Sequence, residues 1–331
     1  MAVQSKININ IKPLHPTFAA EVSGIDFTKP VPPEIIEQVQ AAIDEYGVLV
    51  FRKANLDDDA HVAFSSQFGE LEPTPAASLG VKTRLPSPYV GDLANVDHNG
   101  NLKLYEDQLS RLFAKGNETW HADMQYHPRR CKYSTLRAVK LPPRGTGGET
   151  QYSDSRAAYD DLSPEMKKKL DGLVAYCSLL HNRRVAAPEL YKGVDVMDWP
   201  NAKWKLVYPQ GRTGRMNLYV TSYMHKIEGM SQEESDELLA ELRKHAAQEK
   251  YVHTVYWEDD GDMVMWDNIA VLHRATDGSG YIGKHIRDVR RTSAFDSGPD
   301  AWGENDPRNP WIIKLPKDPF AAPAAALYSA H

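Results

Sequence analysis

The sequence contains very little cysteine. Only Cys131 and Cys177 occur among 331 residues. This excludes a disulfide scaffold and a cysteine-based zinc or iron–sulfur site, because both need more thiolates. So few cysteines fit a reducing compartment, and we expect a cytoplasmic protein.

Long apolar runs and an excess of basic residues are also lacking. No apolar run reaches the roughly 18–20 residues that a membrane-spanning helix needs, and Met1–Lys12 lacks the apolar core of a signal peptide. The formal net charge is −6, so no positive excess exists to neutralise phosphates. We therefore expect neither a membrane nor a nucleic acid as partner, and we interpret the cluster of Arg287, Arg290 and Arg291 as local chemistry.

Four helices are predicted from their start and stop signals. Prolines favour two of the starts, an aspartate can cap another, and a serine with a glutamate three residues later forms a capping box. The apolar residues that follow recur on one face of each helix. The predicted helices run from Pro32 to Gly47, from Asp57 to Phe68, from Ser163 to Val174 and from Ser231 to about Glu249.

Several segments rich in β-branched and aromatic residues predict strands. Two stretches, about 73–118 and about 183–230, resist assignment, and loops of that length are usually functional or disordered. We expect one mainly β domain with flanking helices over residues 1–331, long loops over a site, and a frayed tail at Ala321–His331. The predicted strands are Val48–Phe51, Tyr133–Val139, Glu149–Ser153, Tyr251–Trp257, Asp262–Trp266 and Val289–Phe295.

A His-x-Asp triplet stands at residues 121–123. In an extended segment, residues i and i+2 project from the same face, so His121 and Asp123 can reach one metal ion. Their donor atoms suit divalent iron, manganese or zinc. With His273 as third ligand, the set becomes the facial triad of non-haem Fe(II) oxygenases, which leaves positions for a 2-oxoacid and O2. Alone, the triplet is common by chance, and a lone histidine is more often packed or on the surface.

A second constellation could bind a carboxylate. The glycines at 145–148 make a turn that delivers Thr150 into a strand, and in a later strand Arg287 and Arg291 share one face while Arg290 takes the other. A buried arginine beside a hydroxyl is a good receptor for a distal carboxylate, because the guanidinium can bind both oxygens. Considered alone, such arginines more often pair with surface acids.

Together these motifs resemble the taurine dioxygenase / 2,4-dichlorophenoxyacetate dioxygenase family. The motifs Trp-His-x-Asp, Gly-Gly-x-Thr, Trp-Asp-Asn-x-x-x-x-His-Arg and Arg-x-x-Arg-Arg follow one another at 120–123, 147–150, 266–274 and 287–291. Three segments nearer the N-terminus agree, and the resemblance runs from about residue 10 to 297. It implies a double-stranded β-helix core, jelly-roll-like and cupin-type. The N-terminal segments are Phe18–Asp26, Gly47–Arg52 and Phe68–Pro73.

The resemblance also implies a cofactor, co-substrates and residue roles. Fe(II) is the implied cofactor, with 2-oxoglutarate and O2 as co-substrates. The implied iron ligands, which are also the catalytic residues, are His121, Asp123 and His273. Thr150 and Arg287 match the residues that bind the far carboxylate of 2-oxoglutarate, and Asn117 and Arg291 match positions near the primary substrate.

The implied reaction oxidises a small, anionic organic substrate and releases succinate and CO2. The outcome is hydroxylation, with or without C–S or C–O cleavage. Tailoring of an amino acid or secondary metabolite, by desaturation or ring formation, is a second interpretation within the same chemistry. Two alternatives lie outside it: a non-catalytic barrel predicts a missing ligand, and a zinc hydrolase would not need Thr150 with Arg287. The small molecule is the expected partner, and a homo-oligomer is left open.

Overall fold

The computed structural model describes residues 8–78, 80, 82–103 and 115–308. The predicted tail at 321–331 and residues 104–114 of the first unassigned stretch lie outside these ranges. The described helices are α1 (Pro33–Tyr46), α2 (Asp58–Ser65), α3 (Pro75–Ser78), α4 (Ser155–Asp160), α5 (Pro164–Leu170), α6 (Leu179–Ala186) and α7 (Gln232–Ala246). None of the helices in this part of the chain has the length and apolarity to cross a membrane.

The described strands outnumber the helices and form the centre of the molecule. They are β1 (Asn10–Pro13), β2 (Ala20–Ser23), β3 (Val48–Phe51), β4 (Gly91–Asp92), β5 (Cys131–Lys140), β6 (Thr150–Asp154), β7 (Val174–Cys177), β8 (Ala202–Lys205), β9 (Val207–Pro209), β10 (Met216–Leu218), β11 (Met224–Ile227), β12 (Val252–Val255), β13 (Met263–Asp267), β14 (Val271–Ala275) and β15 (Asp288–Phe295). The prediction of a mainly β protein with flanking helices is confirmed.

A seven-stranded sheet, in the order β1-β2-β3-β13-β5-β15-β4, is the largest layer. Its strand β3 is apolar throughout because the sheet is covered on both sides: Leu49 and Phe51 pack in one cluster, and Val48 and Val50 pack in another. The first cluster lies under α1 and contains Ile35, Val39 and Ile43. Helix α1 ends where Gly47 takes a left-handed φ of 69° and its N–H reaches the carbonyl of Ile43.

The other face of this sheet packs against a three-stranded sheet in the order β12-β6-β14. Tyr152 and Val271 of the smaller sheet share an apolar cluster with Val264 and Val289 of the larger one. Strand β14, which carries His273, therefore lies over the inner face of the large sheet. A further sheet, β11-β7-β8, and helix α7 build a third cluster beside this pair.

Three of the predicted helices end earlier than expected. Helix α2 ends at Ser65 and is followed by a 3-10 turn at Ser66–Phe68. Helix α5 stops at Leu170, because Gly172 adopts a φ of 72°, and Val174 begins β7 instead of continuing the helix. Helix α7 has the predicted capping box at Ser231 and ends at Ala246, followed by a separate 3-10 turn. The stretch 183–230 was expected to be a long loop, which was wrong: it contains strands β8 to β11.

Candidate metal centre

His121, Asp123 and His273, which the family resemblance implies as one triad, come together in the interior. One ligand atom from each lies within 4.8 Å of the others, and each residue is about 5% exposed or less. No other cluster of three such residues with this spacing occurs among the described residues. Two imidazoles and one carboxylate are the donors that a divalent non-haem iron site uses.

The two histidines are paired through their backbones. His121 and His273 form an antiparallel bridge, in which the N–H of His121 donates to the carbonyl of His273 at 3.0 Å and the reverse bond measures 2.8 Å. Their rings lie 4.2 Å apart, centroid to centroid. The bridge places His121 against strand β14, so main-chain hydrogen bonds hold the two imidazole rings together.

The ring of His121 is oriented by a hydrogen bond to the main chain. Its Nδ1 lies 2.7 Å from the carbonyl oxygen of Thr119, and since that oxygen only accepts, Nδ1 carries the proton. Nε2 of the same ring is then free to bind a metal. Burial is the main cause that lowers the pKa of His121 to about 3, with His273 adding to it, so the ring is neutral at physiological pH.

Asp123 is held on three sides. Its Oδ2 accepts a hydrogen bond from Oγ of Ser134 at 2.6 Å, and its Oδ1 accepts one from Nη1 of Arg291 at 2.7 Å. Its backbone N–H donates to Oδ1 of Asn268 at 2.9 Å. The Oδ1 atom also faces Nε2 of His273 at 3.6 Å.

The charge of Asp123 is stabilised by these neighbours. Burial opposes ionisation, but the positive charge of Arg291 and the proximity of His273 outweigh it and hold the pKa of Asp123 well below its usual range. The carboxylate is therefore ionised and available as a ligand at any physiological pH.

Asn268 organises the residues around Asp123, and the sequence motif gave it no role of its own. Its Oδ1 also accepts from the indole N–H of Trp266 at 3.0 Å, and its Nδ2 donates to Oγ of Ser134 at 3.0 Å. Ser134 is thus fixed from one side by Asn268 and reaches Asp123 on the other. The asparagine in the Trp-Asp-Asn motif is the signal that could have identified this network.

Arg287 contacts the glycine turn that leads into Thr150. Thr150 stands opposite Ala275 in the β6–β14 pairing, two residues along from the pair of Tyr152 and His273, so its side chain lies on the face of that sheet that carries His273. Nη2 of Arg287 donates to the carbonyl of Gly148 at 3.0 Å. The guanidinium of Arg287 thus contacts the residue two positions before Thr150 in the sequence.

The region around Arg287, Gly148 and Thr150 has the properties of an anion receptor. Nε of Arg287 is buried and has no hydrogen-bond partner among the described residues. A Cβ added at Gly148 would lie 2.9 Å from that Nε, so glycine leaves the space in which the guanidinium sits. A buried N–H donor without a partner is costly, and a bound carboxylate would satisfy it.

The three arginines of the 287–291 motif have separate roles. Arg287 precedes β15, Arg290 lies on the outer face and bonds Asp58 at the start of α2 at 2.6 Å, and Arg291 lies on the inner face against Asp123. The predicted alternation is confirmed for Arg290 and Arg291, whereas Arg287 lies before the strand and a register shift between Asp288 and Val289 separates it from them. The alternative that these arginines pair with acids holds for Arg290, and Arg291 pairs with Asp123, the carboxylate of the candidate triad.

Asn117, the other predicted substrate residue, lies in a turn that contacts the strand of His273. Asn117 is half-buried in a 3-10 turn, Gly116–Glu118, directly before the segment that carries His121. Tyr223 packs edge-on against the His121 ring at 6.0 Å and against Tyr126 at 5.1 Å. Burial raises the pKa of Tyr223 to about 12, so its hydroxyl is a neutral group beside the histidine.

One acidic residue near Arg291 was not identified from the sequence. Glu72 follows Leu71, which bridges Ala294 of β15, and the N–H of Glu72 donates to the carbonyl of Ser293 at 2.8 Å. Burial raises the pKa of Glu72 to about 7, against the influence of Arg291 and with that of Asp123. Its position depends on a non-local pairing that no local motif announces.

Comparison with known proteins gives a consistent result. The family model "Taurine catabolism dioxygenase TauD, TfdA family" matches residues 10–292. An alpha-ketoglutarate-dependent 2,4-dichlorophenoxyacetate dioxygenase of a Burkholderia species (strain RASC) is 35% identical over 294 residues, covering 87% of this chain and 95% of that protein.

Two further relatives extend the comparison. Pentalenolactone F synthase of Streptomyces avermitilis is 28% identical over 307 residues, covering 87% of this chain and 94% of that protein. The crystal structure of AAD-2 in complex with Mn(II) and N-oxalylglycine has a TM-score of 0.77 and 32% identity to this chain, covering 88% of this chain and 98% of that one.

Proposed function

Since the chain belongs to the taurine catabolism dioxygenase TauD, TfdA family, we propose that His121, Asp123 and His273 hold its Fe(II) and that the site oxidises a small organic anion. The enzyme class, a 2-oxoglutarate-dependent non-haem iron dioxygenase, follows from the family. It decides against the zinc hydrolase and the non-catalytic barrel. The observation that carries the residue assignment is the buried cluster of two histidines and one aspartate within 4.8 Å.

The donor set fits divalent iron. The ring of His121 has its proton on Nδ1 and its Nε2 free, and Asp123 is ionised because Arg291 stabilises its charge. Bound there, Fe(II) supplies the chemistry that couples conversion of 2-oxoglutarate and O2 into succinate and CO2 to oxidation of a substrate C–H bond. The chain's own part is to bind, to orient and to exclude water.

Thr150 and Arg287 are proposed to bind the far carboxylate of 2-oxoglutarate. The partnerless Nε of Arg287 and the hydroxyl of Thr150 on the His273 face support this assignment. AAD-2 was crystallised with Mn(II) and N-oxalylglycine, a molecule that has the 2-oxoglutarate skeleton with an N–H in place of one methylene. A fixed carboxylate at one end of the co-substrate directs its 2-oxoacid end toward the triad.

The core is proposed to be a double-stranded β-helix within one catalytic domain. Two mainly antiparallel sheets packed face to face, with His273 on the inner side of one and Arg291 on the inner side of the other, support this architecture. Such a core places the ligands between layers of strands, where side chains are held rigidly by packing.

The substrate is proposed to be an aryloxyalkanoate or a similar small anion. The Burkholderia relative acts on 2,4-dichlorophenoxyacetate, as its name states, and Arg291 places a positive charge beside the triad. Asn117 is proposed to line the same pocket from its turn before His121. The aromatic rings of Tyr126 and Tyr223 offer a flat apolar surface for an aryl group.

Tailoring of a secondary metabolite is the second candidate. Pentalenolactone F synthase matches over a similar share of the chain at lower identity. An aryloxyacetate carries a carboxylate that needs a cationic partner in the pocket, whereas a tailoring reaction as such sets no requirement for the charge of the substrate. The rates of succinate release with a carboxylic acid and with its matched ester should therefore distinguish the two candidates.

The test uses the purified full chain with Fe(II), 2-oxoglutarate and O2. We expect 2,4-dichlorophenoxyacetate to stimulate succinate release and its uncharged methyl ester to do so far less. Asp123→Ala and His273→Ala should abolish both this activity and binding of Mn²⁺, while His98→Ala, an exposed histidine, should change neither. Unaltered Mn²⁺ binding in both ligand variants would contradict the metal assignment, and preference for the ester would contradict the anionic substrate.

A further inference from the structure

The inner face of the large sheet carries a row of polar residues beside the triad. Strand β15 places Ser293 opposite Ser134 of β5, and Glu72 is joined to Ser293 by its backbone N–H. The neighbouring row, Leu71 with Ala294 and Tyr133, packs in the apolar cluster under α1. Successive strand residues alternate in face, so Glu72 shares the inner face with Ser293 and Ser134.

Arg291 lies on that same face, two residues from Ser293. Its guanidinium bonds Oδ1 of Asp123 at 2.7 Å. Among the described residues, the carboxylates that favour the charged form of Arg291 are Asp123 first and then Glu72. Arg291 thus has one acid in direct contact, the proposed metal ligand Asp123, and a second acid without an assigned role, Glu72, on the same face of the sheet.

A bound divalent metal changes the partner that Arg291 needs. The oxygen of Asp123 that faces His273 is Oδ1, which already accepts from Arg291. Asp123 cannot turn its other oxygen to the metal without losing the bond from Ser134. A dication on Oδ1 repels the guanidinium and withdraws charge from the oxygen, and a buried cation that loses its partner is strongly unfavourable.

We propose that Glu72 is a positioning residue for Arg291: it accepts the guanidinium when the metal occupies Asp123, and so keeps that charge in the pocket for the anionic group of the substrate. The inference rests on the proposed metal site and substrate charge. It assigns Arg291 two partners in turn, Asp123 in the metal-free protein and Glu72 in the loaded one. The carboxylate of the substrate then replaces or joins Glu72 at the guanidinium.

The proposal is tested with Mn²⁺ binding to the metal-free full chain, measured by calorimetry. Without Glu72, metal binding leaves Arg291 with no second carboxylate, so Glu72→Gln should weaken Mn²⁺ binding about 10-fold. In an Arg291→Gln background the same substitution should have almost no effect, within about twofold. Glu72→Asp keeps the charge and should restore most of the affinity.

Glu70→Gln is the matched control, because Glu70 lies two residues away and its exposed side chain pairs with Arg129. It should leave Mn²⁺ affinity unchanged. If Glu72→Gln weakens binding equally with and without Arg291, Glu72 acts on the metal directly and the proposal is wrong. An unchanged affinity in folded Glu72→Gln, or in Glu72→Ala where the former does not fold, also overturns it.

The outcomes separate this inference from the proposed function. If the wild-type chain binds no Mn²⁺, the metal site fails and this inference fails with it. If Mn²⁺ binding depends on His273 but not on Glu72, only this inference fails. If the coupling between Glu72 and Arg291 is found but no anion is oxidised, the substrate assignment fails while the role of Glu72 stands.

Discussion

Ser134 donates a hydrogen bond of 2.6 Å to Oδ2 of Asp123 from the neighbouring strand β5. The bond fixes which oxygen of the carboxylate points toward the histidines, since the other oxygen lies 3.6 Å from Nε2 of His273. Ser134 is not itself a proposed ligand, but it sets the orientation of one, Asp123.

Replacing Ser134 by alanine should weaken metal binding. The carboxylate would lose the partner that orients it, and such losses beside a metal ligand typically cost about 10- to 100-fold in affinity. Mn²⁺ titration of the metal-free protein measures the change. Ser293→Ala, opposite Ser134 in the sheet, is the matched control and should have little effect. Equal losses in both variants would mean that the effect is one of packing.

Replacing Asn268 by alanine should destabilise the protein and disorder Asp123. The substitution removes bonds to the backbone of Asp123, to Trp266 and to Ser134, and leaves buried groups unsatisfied. We expect a loss of about 2–4 kcal/mol in the free energy of unfolding, measured by urea denaturation. Asn217→Ala is the matched control, because Asn217 is an equally buried asparagine whose side chain donates only one hydrogen bond, to the carbonyl of Tyr208, and it should cost less. A loss in Asn217→Ala as large as that in Asn268→Ala would contradict the central role of Asn268.

Gly148→Ala should impair 2-oxoglutarate binding without affecting the metal. The new Cβ would lie 2.9 Å from Nε of Arg287 and displace the guanidinium. Loss of a charged hydrogen bond corresponds to roughly 10-fold or more in the KM for 2-oxoglutarate. Gly145→Ala is the control, since it has a similar φ of 81° but no atom within 4 Å of the added Cβ. An equal rise in KM in both variants would point to backbone strain and away from Arg287.

Glu72 should make the stability of the metal-free protein depend on pH. Its pKa is raised from 4.5 to about 7 in the folded protein, so between these values the folded state binds more protons than the unfolded state. The free energy of unfolding therefore falls as pH rises through this window. Glu72→Gln cannot ionise, and its stability relative to wild type should increase from pH 5 to pH 8.

Urea denaturation in the presence of a chelator measures this dependence. The control Glu70→Gln should differ from wild type by the same small amount at both pH values, because exposed ion pairs contribute little. A difference between wild type and Glu72→Gln that stays constant with pH would show that Glu72 ionises in the folded state as it does in the unfolded chain.

Local patterns sufficed for much of the fold. The span of β3 matches its prediction, Val48–Phe51, because a continuous apolar run flanked by Gly47 has few other readings. Helix α7 begins at its predicted capping box, because this start signal is also formed by residues close in sequence. These signals are encoded within a few residues of one another, and the tertiary structure did not override them.

The strands between 183 and 230 could not be predicted in this way. They are three or four residues long, and two of them, β8 and β11, pair with the distant strand β7. So short a segment has no periodicity that separates a strand from a loop. Strand β14 was missed for a related reason, although its histidine was identified.

The site shows the same division between local and distant information. The nearness of His121 and Asp123 was predicted from the alternation of an extended segment, although the structure has only an isolated bridge at His121 and a turn that begins at Asp123. The salt bridge from Arg291 to Asp123 and the nearness of Glu72 were not readable. Both depend on how β15 pairs with β5 and with residue 71. The residues next to these positions in the sequence do not determine either pairing register.

The backbone bridge between His121 and His273 has a consequence for how the protein gains and loses its metal. Two main-chain hydrogen bonds hold the bridge, and neither involves a ligand atom. Because these bonds need no ion, we expect the histidine pair to form on folding and to persist when the ion is removed. Reconstitution after chelation should then follow the speed of ion entry, with no refolding step.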